Sequence, residues 1–205
     1  MAARPSHAAM AKLQHVPSPA TIAAMRTLTI QTILACVIAA GALTACSPKF
    51  NWRDYVSQDA PYRVMFPDKP VSHTRTIDLN GLKVEMTMTA AQIDGTMFAV
   101  GTAEAPDADQ AEAALGAMKT ALVRNIGATI KSEKSGKTSS AAGASAARSA
   151  AIDIEASGNQ NGTPMRLVGH FESRNKRIYQ VVVMGKETDL SKENVEQFMS
   201  SFRLQ

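Results

Sequence analysis

Cysteine is nearly absent from this sequence: its two copies are Cys36 and Cys46, and residues 47–205 contain none. A fold built from residues 47–205 therefore cannot depend on a disulfide bond. A structural zinc site on thiolates is excluded there for the same reason. Such a domain has to be stabilised by a hydrophobic core, and this part of the chain is long enough for one core.

The chain also lacks an excess of charge of one sign in its main part. All 18 acidic residues follow Cys46, whereas three of the 22 basic residues, Arg4, Lys12 and Arg26, precede it. The part after Cys46 thus carries 19 basic and 18 acidic residues. Because these charges are balanced and scattered, they offer no electrostatic surface for nucleic acid, and we expect no nucleic-acid partner.

Motifs for catalysis and phosphate binding are missing as well. No G-x-S-x-G sequence marks a nucleophile, and no glycine-rich loop joins a strand pattern to a helix pattern. Only two histidines, His73 and His170, follow Cys46, and neither has a second histidine at ligand spacing. We therefore predict no catalytic residues, no cofactor and no enzymatic activity.

One long apolar run is present, from Leu28 to Ala42, and the basic residue Arg26 precedes it. Small residues follow it, an order typical of a secretory signal peptide. Residues 43–46 (LTAC) resemble the lipobox of bacterial lipoproteins. The resemblance implies cleavage between Ala45 and Cys46 and acylation of Cys46.

These features predict how the first part of the chain is organised. Residues 25–45 are a signal peptide, and residues 1–24 are a disordered upstream extension, with Met25 as the true start. Residues 46–58 form a lipidated tether. Ser47 resembles the outer-membrane sorting pattern of Gram-negative lipoproteins. We therefore expect a monomer anchored by its lipid in the outer membrane and facing the periplasm.

Two other interpretations of this segment stay open. Residues 33–36 (ILAC) also resemble a lipobox, although the apolar run ahead of Cys36 is short. The segment could instead remain as an uncleaved anchor, but Gln31 and the threonines interrupt a span that needs about 20 apolar residues. In the tether, we expect Trp52 and Tyr55 to pack on the edge of the domain.

Alternation of apolar and polar residues predicts strands from residue 62 onward. Asn80-Gly81 and Asp94-Gly95 are typical of two-residue hairpin turns. Residues 62–103, which include the strand Tyr62–Phe66, therefore predict an antiparallel meander.

Two stretches show helical periodicity instead. Apolar residues recur at helical spacing over residues 109–126, where Asp107 or Asp109 can cap the helix and Gly127 can end it. A second helix is predicted from about residue 192 to the C-terminus.

Between the predicted helices, residues 129–133 are a candidate strand, and the Ser- and Ala-rich residues 135–147 predict a loose hairpin. Residues 152–155 and 165–172 alternate around a turn at residues 158–162. Residues 178–184 form a nearly continuous apolar run and predict a central strand that is covered on both faces.

The order of strands, helix, strands and helix predicts an α+β fold, with an antiparallel sheet of about six to eight strands packed by two main helices. Residues 62–70 (YRVMFPDKP), 177–183 (RIYQVVV) and 198–204 (FMSSFRL) resemble small bacterial lipoproteins with a PsbP-like α/β/α sandwich. The resemblance implies such a domain over residues 59–205. Photosynthetic members of the family dock on a membrane complex, but none of their contact motifs matches this chain, so no functional residue is transferred.

One group of residues has the chemistry of a weak divalent metal site. His170 and Glu172 share a strand face, and Asp153 and Glu155 are expected on the matching face of the neighbouring strand. We favour an exposed face with cross-strand ion pairs, Glu155 with Arg166 among them, and expect no metal.

Three functions are consistent with these features. The main prediction is a lipid-anchored module that binds or docks to a protein partner in the envelope. The first alternative is a periplasmic protein that binds a small ligand in a crevice between sheet and helix. The second is an envelope hydrolase that uses His73 or His170. In the small-ligand alternative, the crevice would be lined by Met86, Met88, Met97 and Met118, although we favour these methionines as core residues.

Overall fold

The computed structural model describes residues 49–139 and 148–205. The predicted signal peptide, the predicted cleavage position at Ala45 and the predicted acylation site Cys46 lie outside the described residues, as does the tip of the Ser- and Ala-rich segment. Residues 49–205 form a compact unit. Within the described ranges, neither helix combines the length and the apolarity needed to cross a bilayer.

Ten strands and two helices are seen in these ranges, which confirms the α+β class. The helices are α1 (Ala108–Asn125) and α2 (Lys192–Ser201). The strands are β1 (Arg53–Val56), β2 (Tyr62–Phe66), β3 (Val71–Leu79), β4 (Leu82–Ile93), β5 (Thr96–Glu104), β6 (Thr129–Ser139), β7 (Arg148–Gln160), β8 (Thr163–Arg174), β9 (Arg177–Lys186) and β10 (Arg203–Leu204).

Seven strands form the main antiparallel sheet in the order β3-β4-β5-β9-β8-β7-β6, within the predicted range of strand number. Strand β9 lies in the middle of this order, and its residues from Ile178 to Val183 are all buried. The predicted central strand is therefore confirmed. Its nearly continuous apolar run reflects the packing of other layers on both faces of the sheet.

The predicted hairpin turns are also confirmed. Asn80 and Gly81 have φ values of 57° and 93°, and Asp94 and Gly95 have φ values of 46° and 80°. Positive φ at both central residues is the geometry that matches the twist of the flanking strands. These two turns align β3, β4 and β5 side by side.

Strands β6 and β7 are longer than the sequence predicted. The expected hairpin is confirmed for residues 135–139, but it is regular there and not loose, since these residues pair continuously with β7, Ser135 opposite Ile152. Pairing with a neighbour satisfies backbone groups whatever the side chains are, so small polar residues extend the sheet here. The predicted turn over residues 158–162 is likewise shorter, because β7 continues to Gln160.

Helix α1 covers one face of the main sheet. The side chain of Asp107 caps it by accepting a hydrogen bond of 2.8 Å from the backbone N–H of Gln110. Gly127, with φ of 55°, follows its end, as predicted. Its buried stripe packs on the sheet and comprises Ala111, Ala114, Leu115 and Met118.

The opposite face of the sheet is covered by α2 and by a small second sheet with the order β1-β2-β10. The predicted meander is therefore wrong for Tyr62–Phe66, since β2 pairs with β1 and β10 and not with β3. Tyr62, Val64 and Phe66 are buried in the core of this face. The domain thus has three layers: α1, the main sheet, and α2 with the small sheet.

Part of the expected tether packs against the domain through aromatic contacts. Trp52 and Phe50 stack with ring centroids 5.9 Å apart, and Trp52 meets Phe98 edge-on at 6.0 Å. Tyr55 meets Phe66 edge-on at 5.5 Å. These contacts confirm the predicted packing of Trp52 and Tyr55, and they place the start of the compact unit at Lys49, ahead of residue 59.

Candidate binding groove

A groove with a volume of about 990 Å³ lies between α1 and the β3–β5 end of the main sheet. The four methionines that the small-ligand alternative assigned to a crevice between sheet and helix all line it, and a fifth methionine lines it from β9. These methionines are Met86, Met88, Met97, Met118 and Met184.

The groove is open because α1 lies mainly over β7, β8 and β9 and makes few contacts with β3. The first part of β3, residues 71–76, is exposed. Strand β4 alternates so that Met86, Met88 and Ala90 face the α1 side. The helix therefore leaves part of an apolar sheet face uncovered.

The five methionines differ in their exposure to solvent. Met118 and Met86 are buried, 2% and 4% exposed, whereas Met88, Met97 and Met184 are half-buried. Methionine is unbranched and polarizable, so it adapts its shape to different apolar partners. A floor of this composition suits a ligand with an apolar body.

Gly101 on β5 shapes the floor of the groove. A Cβ atom at this position would lie 2.6 Å from Sδ of Met88 and 3.4 Å from Sδ of Met86. The missing side chain thus leaves the space into which both thioethers fold. A glycine inside a strand commonly marks such a close approach.

Polar groups complete the groove at its rim and floor. Arg75 on β3 and Arg124 on α1 are exposed lining residues. Five other arginines pair with carboxylates, whereas none of the described residues forms a salt bridge with Arg75 or Arg124. Asp78 is engaged in a turn, where it accepts a hydrogen bond of 2.6 Å from the N–H of Gly81. Gln180, 6% exposed, adds an amide to the floor.

The residues weighed as a metal site lie on the other face of the sheet, over β7 and β8. Nδ1 of His170 is 2.7 Å from Oδ1 of Asp153, and its Nε2 is 3.3 Å from Oε2 of Glu172. Burial of the ring lowers the pKa of His170, but the hydrogen bonds and charges of Glu172 and Asp153 outweigh it, so the pKa is raised. These contacts place the imidazole ring between two carboxylates.

Glu155, the fourth candidate, is separate from this cluster. Its carboxylate lies 3.0 Å from Nη2 of Arg166, diagonal to it across β7 and β8, as the sequence predicted. Across residues 49–139 and 148–205, no group of three or more His, Cys, Asp or Glu side chains is arranged to hold a metal ion. The face carries the cross-strand ion pairs that we favoured.

The two histidines considered for catalysis are not brought together. His73 lines the groove on the α1 side, and His170 lies on the opposite face of the sheet. The sequence reasoning missed Met184, Arg75 and Arg124 as groove residues. Met184 lies at the end of a nearly continuous apolar run, in which no alternation reveals the face of each residue. The two arginines line the same groove only because tertiary packing places β3 and α1 on either side of it.

Comparisons with known proteins add little to this geometry. No family model matches the chain, and no curated protein does. A solved structure of a Pseudomonas aeruginosa protein of unknown function, PA94, is similar at 14% identity over 68% of this chain and 86% of that chain, with a TM-score of 0.30. A likeness at that level supports no conclusion about fold or function.

Proposed function

We propose that this protein binds a small amphiphilic molecule, with an apolar body and an anionic group, in the groove between α1 and the sheet. The observation that carries the proposal is the combination of a methionine-lined floor with two arginines at the rim, Arg75 and Arg124, that form no salt bridge with any of the described residues. A long-chain carboxylate has this chemistry.

The size and lining of the groove support this choice. Its volume of about 990 Å³ lies at the upper end of the range for small-molecule sites, roughly 300–1,000 Å³. Such sites are mainly apolar with a few placed polar groups. Met88, Met97 and Met184 supply half-buried apolar surface, which a ligand would remove from water at a gain of about 25 cal/mol per Å².

The two arginines at the rim supply the positive charge that would bind the anionic group of the ligand. Arg75 extends from β3 and Arg124 from the last turn of α1, so the two cations approach the groove from different layers. A planar guanidinium matches the two oxygens of a carboxylate. Docking to an envelope protein stays a prediction; the ion-paired face over β7 and β8 argues against that face as its site, because charged residues are depleted at interface cores.

The rim is tested by removing its charge. We expect the purified protein to bind dodecanoate, and Arg75→Gln with Arg124→Gln to weaken that binding by about tenfold. Each of the two exposed ion pairs is worth up to about 1 kcal/mol, and a tenfold loss corresponds to about 1.4 kcal/mol. Binding of dodecanol, which lacks the charge, should not change. Displacement of a bound fluorescent fatty acid measures the affinities for dodecanoate and for dodecanol. The matched control, Arg63→Gln with Arg203→Gln, lies on the opposite layer; equal losses in both double variants, or no binding by the wild type, would reject the proposal.

The cellular setting is part of the same proposal. We propose a PsbP-like domain anchored in the outer membrane by acylated Cys46, facing the periplasm; the lipobox-like residues 43–46 and the chemistry of the groove are its support. A lipid anchor would hold the groove beside a source of amphiphiles. The proposal involves no catalytic step.

Mass spectrometry of the mature N-terminus tests the anchor. The chain should begin at Cys46 and carry acyl mass, and Cys46→Ser should leave the precursor uncleaved. Cys36→Ser is the control, because it removes the rival lipobox and should be processed normally. A mature chain that begins elsewhere, or that carries no lipid, would contradict the anchor.

A further inference from the structure

The main sheet ends in two edge strands, β3 and β6, and they are protected to different degrees. An uncovered edge offers its free backbone N–H and C=O groups to another strand, and lysines and bulges normally prevent such pairing. Strand β6 carries Lys131, Lys134 and Lys137, and its pairing with β7 shifts register between Ile130 and Ser132. Strand β3 contains no lysine and no proline, and it pairs with β4 in one unbroken register. Of the two edges, β3 is therefore the one open to a further strand.

Neither helix α1 nor the small second sheet covers the first part of β3. Residues 71–76 are exposed on both faces of the strand. Helix α1 lies mainly over β7, β8 and β9, whereas α2 and the small sheet pack on β4, β5 and β9. Val71 is 60% exposed and is one of two large hydrophobic side chains that are exposed within the described residues. A second strand therefore has room to approach this edge without displacing α1, α2 or the small sheet.

The backbone groups at this edge belong to alternate residues of β3. Leu79 and Leu82 flank the two-residue turn and form the first hydrogen-bonded pair of the β3–β4 hairpin. Hydrogen-bonded pairs then alternate with non-hydrogen-bonded pairs, so the odd-numbered residues of β3 direct their N–H and C=O groups to β4. The N–H and C=O groups of Ser72, Thr74 and Thr76 therefore point to the free edge.

We propose that two copies of this chain associate through antiparallel pairing of β3 with β3 of the second copy, centred on Thr74. In this register Thr74 lies opposite its own equivalent, and Ser72 lies opposite Thr76 of the second copy. All these residues direct their backbone groups to the free edge, so each pair forms the two hydrogen bonds of an antiparallel ladder. The two seven-stranded sheets become one continuous sheet. The dimer replaces the monomer that the sequence led us to expect, and it does not depend on the proposed ligand.

The polar side chains of β3 complement one another in this register. The hydroxyl groups of Ser72 and Thr74 already contact those of Thr89 and Thr87 across the hairpin, both at 2.8 Å. Pairing with the second copy adds Thr74 beside Thr74 and Ser72 beside Thr76 on the same face, so the row of hydroxyl groups continues across the seam. Cross-strand Thr–Thr and Thr–Ser hydrogen bonds stabilise antiparallel pairs.

The opposite face of β3 is complementary as well. Val71 lies opposite Ile77 of the second copy, and this contact removes exposed apolar surface from water. His73 lies opposite Arg75 of the second copy, where the planar imidazole and guanidinium groups stack. These are non-hydrogen-bonded pairs, in which the side chains of the two strands lie closest together.

The neighbouring registers are less favourable. A pair centred on Arg75 sets this guanidinium directly opposite its equivalent, and like charges directly opposite each other destabilise a sheet. A pair centred on Thr76 sets Asp78 opposite Thr74 and leaves Val71 without an apolar partner. Pairing of β3 with β6 would build an open-ended array through a bulged strand that carries three lysines. The two-fold pair is closed, and it uses the unprotected edge of both copies.

A disulfide bond at the two-fold axis tests the pairing and its register. The full chain, purified in detergent, would carry Cys36→Ser and Cys46→Ser, so that the introduced thiol is the only one. Thr74→Cys should form a linked dimer under mild oxidation, because paired Cα atoms about 5.5 Å apart match disulfide geometry. Thr76→Cys is the matched control: it is exposed on the same face of β3, but its equivalent lies about 14 Å away along the strands. The control should crosslink at least tenfold less.

Proline at position 74 tests the backbone contact separately. Thr74→Pro removes an N–H group that points to the free edge and leaves the hydrogen bonds between β3 and β4 in place. It should lower the association constant, measured by sedimentation of the full chain in detergent, by at least tenfold. Thr74→Val retains the N–H group and should lose much less affinity. Circular dichroism verifies that both variants are folded.

Three results would overturn the dimer. They are a wild type that sediments as a monomer at every concentration, a Thr76→Cys variant that crosslinks as fully as Thr74→Cys, and a Thr74→Pro variant that associates as tightly as Thr74→Val. Displacement of the fluorescent fatty acid is measured on the same wild-type sample. A monomer that binds the fatty acid would reject the pairing alone, and a dimer that does not bind it would reject the proposed function alone.

Discussion

Replacement of Ala121 by tryptophan should reduce the affinity for a fluorescent fatty acid by at least tenfold. Ala121 is an exposed residue of α1 that lines the groove. An indole ring at this position would fill space that the ligand needs. Because the native side chain is exposed, we expect the free energy of unfolding to change by no more than about 0.5 kcal/mol.

The same helix supplies the matched control. Ala113 is also exposed on α1 but does not line this groove. Ala113→Trp should bind the probe as the wild type does, while it adds the same bulk and the same aromatic surface. Fluorescence displacement gives the affinities, and thermal unfolding verifies the fold. If Ala121→Trp binds as tightly as Ala113→Trp, the ligand does not occupy the groove.

Truncation of Phe198 should have the largest effect on stability. Its side chain is fully buried, and its ring lies 5.4 Å from the rings of both Phe66 and Phe98. Phe198→Ala should lower the free energy of unfolding by about 3–5 kcal/mol, since it leaves a cavity at the junction of three elements. For a domain of this size, the melting temperature should fall by on the order of 10 °C.

Ser200→Ala is the control for this prediction. Ser200 lies on α2, two residues from Phe198, and is exposed. Its substitution should change the free energy of unfolding by less than about 0.5 kcal/mol. Chemical denaturation of both variants measures the two free energies of unfolding. Similar small losses in the two would mean that α2 does not pack on the main sheet as described.

Local signals predicted most of the secondary structure. The turns at Asn80-Gly81 and Asp94-Gly95 were identifiable because few residue pairs tolerate positive φ at both positions. The stripe on α1 was identifiable because its apolar residues repeat at helical spacing. These features depend on residues close together in the sequence, so no tertiary information was needed.

Other features depended on distant contacts. A Cβ at Gly158 would lie 2.5 Å from the carbonyl oxygen of Ile126, so this glycine permits the chain after α1 to pass close to β7. From the sequence, Gly158 indicated only a turn. The pairing of β2 with β10 joins residues 62–63 to 203–204, and no local pattern encodes a contact between residues so far apart.

The same division between local signals and distant contacts applies to the candidate groove. The sequence favoured Met86, Met88, Met97 and Met118 as core residues and assigned them to a crevice only in the small-ligand alternative. The structure buries Met86 and Met118 and leaves Met88 and Met97 half-buried in the groove. The arginines were not predicted, since Arg75 and Arg124 belong to elements whose relative position the sequence does not state. The packing of Met86 and Met88 over Gly101 was equally hidden.

The sequence by itself determined the class of the fold, the central strand and the hairpin turns, because periodicity and turn chemistry act over a few residues. Only the tertiary structure decided where α1 lies on the sheet, and hence which methionines stay partly open to solvent. The position of a helix on a sheet follows from the packing of every side chain between them. That packing left one end of the sheet uncovered, and the candidate site lies there.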